Sequence, residues 1–322
     1  MVIVTGALGF IGSALVAKLN AEGFQDIVLV DDFSAIHKIN NITHKKYTQQ
    51  VERKDFLAWL DKNQSLVQFI FHLGARTDTM EQSVSIFTTL NLEYSKNIWK
   101  KCLEYSIPLV YASSAATYGN GENGYQDIET NIPQLKPLNP YGQSKQDFDV
   151  WALAQEKKPF HWVGLKFFNV YGPNEYHKNK MASVVYHSYN QIQETNKVKL
   201  FRSYNPDYKD GYQLRDFIYV KDVVNVLYYF LQNRKGISGI YNLGTGQARA
   251  FVDLVNAVFI AQNKEPNIEF IDLPEVLHTT YQYFTQATMD KLRTAGYTPS
   301  FHSLEEGIKD YVQNYLSIST YY

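Results

Sequence analysis

The 322-residue sequence predicts an α/β protein, a doubly wound parallel Rossmann sheet with a smaller mixed α/β substrate domain. Three observations predict it. Short β-branched runs without polar alternation recur in the first half, as strands buried on both faces require. Helical spacings alternate with them, which implies right-handed crossovers into one parallel sheet. Gly6, Gly9 and Gly12 stand three apart, between the first such strand and the first such helix.

The elements follow in order. "MVIVT" reads as a strand, and Ile11, Leu15 and Leu19 as the buried stripe of a helix that closes at Gly23. A glycine turn there lets backbone N–H groups and the helix N-terminus approach a pyrophosphate, along Gly6, Gly9, Phe10, Ile11 and Gly12. "DIVLVDD" is the second strand. Its Asp31 lies 19 residues beyond Gly12, where a carboxylate meets the adenosine ribose. Asp31 and Asp32 together would repel a 2′-phosphate and favour NAD; Lys38 and Arg53 downstream can offset that charge, or are solvated surface. "VQFIFHLGA" is a third run of strand type, and ligands bind beyond the carboxyl ends of such strands. Leu73, Gly74, Ala75, Arg76 and Thr77 fall at that end. "NLEYSKNIWKKCLEY" is a helix opened by Asn91, which either reaches the cofactor or caps the helix. "IPLVYASS" is a further strand, ending at Ser114.

Composition bounds the function. The net charge of −1 points away from nucleic acid and from anionic membrane. Cys102 is the only cysteine, so an internal disulfide and a multi-cysteine zinc site are both excluded, and no metal site is expected. No apolar run approaches the roughly 20 residues that span a bilayer. "MVIVTGALGFIG" lacks the basic leader of a signal peptide, so a reducing cytoplasm is the expected compartment. The 25 tyrosines show no repeat and read mostly as core edges and surface.

"PLNPYGQSK" carries the chemistry. Asn139 suits a helix cap and Pro140 its first position. Tyr141 and Lys145 then share a helix face, one turn apart. A free phenol, with a pKa of about 10, is a poor base at neutral pH. A nearby ammonium and a positive nicotinamide ring would lower that value and let Tyr141 exchange a proton with a substrate hydroxyl. Lys145 would also hold the ribose hydroxyls, and Ser114 would donate to the oxygen that becomes a carbonyl. As a lone motif Y-x-x-x-K is an ordinary helix face; its specificity comes from the "SS" strand end and the nucleotide fold before it.

These motifs, with "NVYGP" and "RDFIYVKDV", resemble the extended short-chain dehydrogenase/reductases, the NAD-dependent epimerase/dehydratase family. The acidic pair of the dehydratases is replaced by Ala115 and Ala116, which leaves transient oxidation and re-reduction, hence epimerisation. "HKNKMASVVYH" is similar to the ADP-L-glycero-D-manno-heptose 6-epimerase branch. That resemblance implies epimerisation at C6 of ADP-D-glycero-D-manno-heptose through a 6-keto sugar, for lipopolysaccharide heptose. It implies Lys178 as a second acid/base facing Tyr141 across the sugar, beside the cofactor. It further implies Asn169 and His187 on substrate, Val170 on the cofactor, and Phe201, Arg202, Ser203 and Tyr204 lining the nucleotide. Arg215 would pair with the diphosphate and Tyr281 would close over the ligand. Lys180 stands where the branch has a small polar residue, and Asp32 where it often has an uncharged amide. NADP is the first choice of cofactor from the branch, with NAD possible on the acids, and a homo-oligomer is implied. A UDP-hexose 4-epimerase and a non-catalytic nucleotide-sensing protein are the alternatives.

The Rossmann domain is expected over residues 1–168, joined by roughly 214–237, and the substrate domain over 169–213 and 238–322, with the substrate between them. The helix "YVKDVVNVLYYFL" is expected to pack on the large domain, and Ser303 to start a terminal helix. The tail "STYY" has no assigned role and is expected to fray.

Overall fold

Strand β1 (Val2–Thr5) sits between β2 (Ile27–Asp31) and β4 (Phe69–His72), with β3 (Gln49–Glu52) outside β2. On the other side follow β5 (Leu109–Ser114), β6 (Trp162–Phe167) and, at the edge, β10 (Gly239–Leu243). All neighbours in this sheet run parallel. A smaller sheet joins β7 (Asn169–Tyr171), β9 (Leu214–Tyr219) and β11 (Ala248–Ala250), and β8 (Val198–Phe201) pairs with β12 (Ile268–Ile271). This computed structural model describes residues 1–275, 278 and 281–322.

The helices are α1 (Phe10–Ala21), α2 (Phe56–Asn63), α3 (Val84–Phe87), α4 (Tyr94–Glu104), α5 (Pro140–Ala154), α6 (Val184–Thr195), α7 (Val220–Gln232), α8 (Phe251–Ala261), α9 (Asp290–Thr294) and α10 (Leu304–Tyr311). The two-residue period of the strands builds two cores. Val2, Val4, Ile27, Leu29, Phe69 and Phe71 point to the face covered by α1 and α7; Ile3, Val28 and Ile70 point to the face of α4 and α5. This is why the runs lack polar alternation. The helix expected to return, α7, does pack against α1.

Strand membership cuts across the expected domain boundary. Residues 239–243, grouped beforehand with the smaller domain, form the edge of the large sheet beside β6, whereas β9, grouped with the larger domain, lies in the small sheet. A five-residue apolar run does not encode which sheet edge receives it. Ser303 does start a helix, through a capping box in which its hydroxyl accepts from the Glu306 amide and the Glu306 carboxylate accepts from its own. The tail is docked, not frayed: the Thr320 carbonyl accepts from the Tyr176 hydroxyl and the Tyr322 amide donates to Asn174 Oδ1. Among the described residues no helix is long and apolar enough to cross a membrane.

Candidate active site

The strand order reverses direction between β1 and β4, and the crevice at their carboxyl ends is where an open α/β sheet takes a ligand. The glycines fit that place for separate reasons. Gly6 adopts φ +70°, and a Cβ on it would lie 2.6 Å from Gly74; a Cβ on Gly12 would lie 2.1 Å from the Gly6 carbonyl. Helix α1 begins at Gly9 with no side-chain cap and no acid in its first turn. Its first amides, at Phe10, Ile11 and Gly12, are therefore offered to an anion. Asp31 closes the turn from β2, its Oδ2 accepting the Leu8 amide at 2.8 Å. These residues fit a dinucleotide, which would supply hydride acceptance and return when bound.

Around the ribose end, Asp32 accepts from the Ser34 hydroxyl at 2.5 Å and lies 3.8 Å from the Arg53 guanidinium. The Ser34 hydrogen bond, with Arg53 and Lys38 nearby, holds its carboxyl below the usual range. Of these two cations only Arg53 is within ion-pair distance of that carboxylate. Arg76 in the loop after β4 turns outward to Asp78 and Glu81, at 3.3 and 3.7 Å. Gly74 donates its amide to Thr5 Oγ1, and Leu73 donates its own to the Thr5 carbonyl.

Asn91 neither opens a helix nor simply caps one. It is buried in a π-helical turn, Thr88–Glu93, that joins α3 to α4. Its Oδ1 accepts the Arg76 amide at 2.8 Å, and its Nδ2 donates to the Arg76 carbonyl and to Ser144 Oγ at 2.9 and 3.0 Å. Ser144 Oγ in turn donates to the Tyr141 carbonyl at 2.7 Å. Behind it runs a chain whose polarity is fixed. Ser95 donates to the Asn91 carbonyl, so it accepts from His72 Nε2; His72 Nδ1 then accepts from Thr5 Oγ1, which accepts the Gly74 amide. Burial lowers the His72 pKa to about 3, so it is neutral throughout the physiological range. Sequence reasoning passed over Thr5, His72 and Ser95; the available signal was a polar residue ending each of two otherwise apolar strands.

Ser114 ends β5, and Asn139 caps α5 by accepting the Gly142 amide at 2.8 Å. Tyr141 therefore stands in the first turn of α5 and Lys145 one turn on, with Lys145 Nζ donating to the Ala112 carbonyl at 2.8 Å. Burial brings Lys145 down to about 8, opposed by the charge of Asp149. The lowering of Tyr141 is expected from Lys145 together with the nicotinamide ring, and the protein's own groups alone do not produce it. Burial raises the phenol above its ordinary value, and the hydrogen bond with Ser114 is what opposes it. Desolvation of the phenolate in this buried first turn outweighs that bond. Beneath, Lys166 and Asp149 form a fully buried pair at 2.7 Å, and Lys166 also donates to Thr117 Oγ1, whose hydroxyl donates to the Ser114 carbonyl.

Lys178 lies in a 3₁₀ segment, Tyr176–Met181, with its Nζ 5.5 Å from the centre of the Phe10 ring at the start of α1. Burial lowers its pKa, with buried Glu175 pulling the other way. Met181 Sδ meets Thr79 Oγ1 at 3.8 Å, so the segment borders the same loop that Asn91 ties to α5. Lys180 and Asn169 are exposed, whereas Val170 in β7 and His187 on α6, beside Tyr186, are partly buried.

Arg215 is 7% exposed, lies between the Phe251 and Tyr281 rings, each at 5.6 Å, and donates to the Leu214 and Gln282 carbonyls. Among the described residues no carboxylate pairs with it, and burial lowers its pKa. Phe201 meets Tyr281 edge-on at 6.4 Å, and Tyr204 lies against His278. Arg202 differs from Arg215: its charge faces Asp272 at 3.0 Å and Asp210 at 3.8 Å, and Ser203 is bound to Asp210 and Asn205.

The pattern of the NAD dependent epimerase/dehydratase family matches residues 2–244. The chain is 49% identical to an ADP-L-glycero-D-manno-heptose-6-epimerase of Fusobacterium nucleatum, with 98% of each chain covered. It is 42% identical to one of Brachyspira hyodysenteriae, with 97% of each covered. Among solved structures, the ADP-L-glycero-D-manno-heptose-6-epimerase of Helicobacter pylori superposes with a TM-score of 0.79 at 28% identity, over 97% of this chain and 95% of that one. The UDP-glucose 4-epimerase of Thermus thermophilus, in complex with NAD, gives 0.74 at 26% identity, over 97% of each chain. The chain belongs to the NAD-dependent epimerase/dehydratase family.

Proposed function

We propose that this chain is a sugar-nucleotide epimerase that inverts C6 of ADP-D-glycero-D-manno-heptose by transient oxidation to a 6-keto sugar and re-reduction. The observation that carries this reading is the near-complete coverage, at 42–49% identity, of relatives bearing that activity's name. In it Ser114 donates to the sugar oxygen, Tyr141 removes and returns the hydroxyl proton, and Lys145 orients the ribose. A phenol raised by burial needs positive charge nearby to act as a base at neutral pH, so the proton transfer depends on the ligands packed beside it. After the keto sugar turns, its oxygen occupies a second position, and Lys178 serves there as the proton donor. A lowered lysine pKa suits that exchange. Arg215 holds the diphosphate, with Tyr281 over it.

NADP is the proposed cofactor, supported by Lys38 and Arg53, with NAD as its rival because Asp32 already engages Arg53. A cytoplasmic homo-oligomer serving lipopolysaccharide synthesis completes the reading. The test is direct. Incubation with ADP-D-glycero-D-manno-heptose, followed by NMR of the C6 stereocentre, is expected to show inversion. Turnover of UDP-hexoses alone would overturn the assignment, and mass analysis of nucleotide released on denaturation decides the cofactor.

A further inference from the structure

Asn174 and Tyr176 open the segment that carries Lys178, and the mechanism above uses neither. Asn174 is fully buried and left-handed, with φ 78°. Its side chain is saturated: Nδ2 donates to Ser13 Oγ at 3.0 Å and to the Tyr322 carbonyl at 3.1 Å, and Oδ1 accepts the Tyr322 amide at 2.9 Å. Its carbonyl accepts from Asn41 Nδ2 at 3.1 Å, and the same Nδ2 donates to the Leu8 carbonyl in the glycine turn at 2.9 Å. The Tyr176 hydroxyl donates to the Thr320 carbonyl at 2.8 Å, and its ring meets Tyr321 edge-on at 5.0 Å. Lys45 Nζ also donates to the Tyr322 carbonyl.

The segment needs such holding. A 3₁₀ stretch of six residues is intrinsically weak, and this one is broken at Asn179, with φ 49° and ψ −126°. The bonds at its two ends run from the Lys178 amide to the Glu175 carbonyl and from the Ala182 amide to that of Asn179. We infer that Thr320–Tyr322 form a strap that fixes the Lys178 segment against the glycine turn, with Asn174 and Tyr176 as positioning residues for the second proton-transfer group. The strap stands on geometry alone; its catalytic consequence rests on the reading of Lys178 given above.

The experiment uses the full chain, a chain ended after Ser319, Asn174→Gly and Tyr176→Phe. Glycine keeps the left-handed backbone and deletes only the amide side chain. Amide hydrogen exchange over residues 176–182 is expected to quicken severalfold in the first two variants and less in Tyr176→Phe, with β1 and β5 unchanged. Because a displacement of about 1 Å can cost a hundredfold in rate, kcat is expected to fall roughly ten- to hundredfold while KM and bound cofactor stay constant. Unchanged exchange in all three variants would overturn the strap whatever the activity. Faster exchange with unchanged kcat would overturn the positioning role. A parallel Lys178→Met enzyme then separates the two failures: if it too is fully active, the fault lies in the role given to Lys178. Should the shortened chain not fold, the two point variants carry the same readout.

Discussion

Ser114, Tyr141 and Lys145 stand on a strand end and a 15-residue helix, whereas Lys178, Arg202 and Tyr204 stand on a kinked 3₁₀ turn and an irregular loop. On the first side, ladder and helix bonds fix the backbone, and a buried chain from Thr5 through His72 and Asn91 to Ser144 joins strand to helix. On the second, position depends on side chains reaching backbone groups far off in sequence, as Asn174 does to Tyr322. The lesson is that one side is stiff through its own periodic bonds and the other only through borrowed ones. Substitutions in the first should remove chemistry, and substitutions around the second should remove alignment.

The sharpest probe of the stiff side is Tyr141→Phe. Loss of a positioned general base is expected to lower kcat by about 10³-fold while the protein keeps its cofactor, measured by NMR turnover and by the nucleotide released on denaturation. Next comes the scaffold beneath it. Asp149→Asn strands the Lys166 ammonium in a fully buried site and is expected to cost about 3–5 kcal/mol in denaturant unfolding. Asp272→Asn, which breaks an exposed pair with Arg202 on the other side, should cost under about 1 kcal/mol. Equal losses would dissolve the contrast. On the borrowed side, Lys178→Met is expected to slow epimerisation by about 10²-fold with thermal unfolding unchanged; a full rate would remove Lys178 from the mechanism.

A further effect is one of pH. His72 is held at about 3 by burial, while an unfolded chain protonates near the ordinary 6.5. Between those values the unfolded state binds more protons, so this group's contribution falls as pH drops from 6.5 toward 3 and is intact above 6.5. His72→Gln should flatten stability over that window, relative to the parent, in denaturant titrations at successive pH values. An unchanged slope would mean that His72 protonates in the fold.

Legibility in the sequence followed the same divide. The glycine turn, the strands of the large sheet and the capped helix of Tyr141 and Lys145 were readable because periodicity and capping are local properties. Asn91 was not resolvable from its neighbourhood, since its role depends on Arg76 and Ser144, 15 and 53 residues away. The engagement of Arg202 by Asp272 was not legible, because that carboxylate is 70 residues distant. That the Lys145 ammonium donates to the Ala112 carbonyl was not legible, since the two residues lie 33 apart in sequence. The docked tail had no local signature, as its bonds run through its backbone.

The enclosed Lys166–Asp149 couple carries a consequence for how this chain can change over generations. Neither partner can be exchanged singly without abandoning an ion in an oily interior, and the Tyr111 and Ser113 hydroxyls that also donate to Asp149 extend the constraint to β5. Variation at these sites should therefore arrive jointly, so the floor under Ser114 drifts in concerted steps.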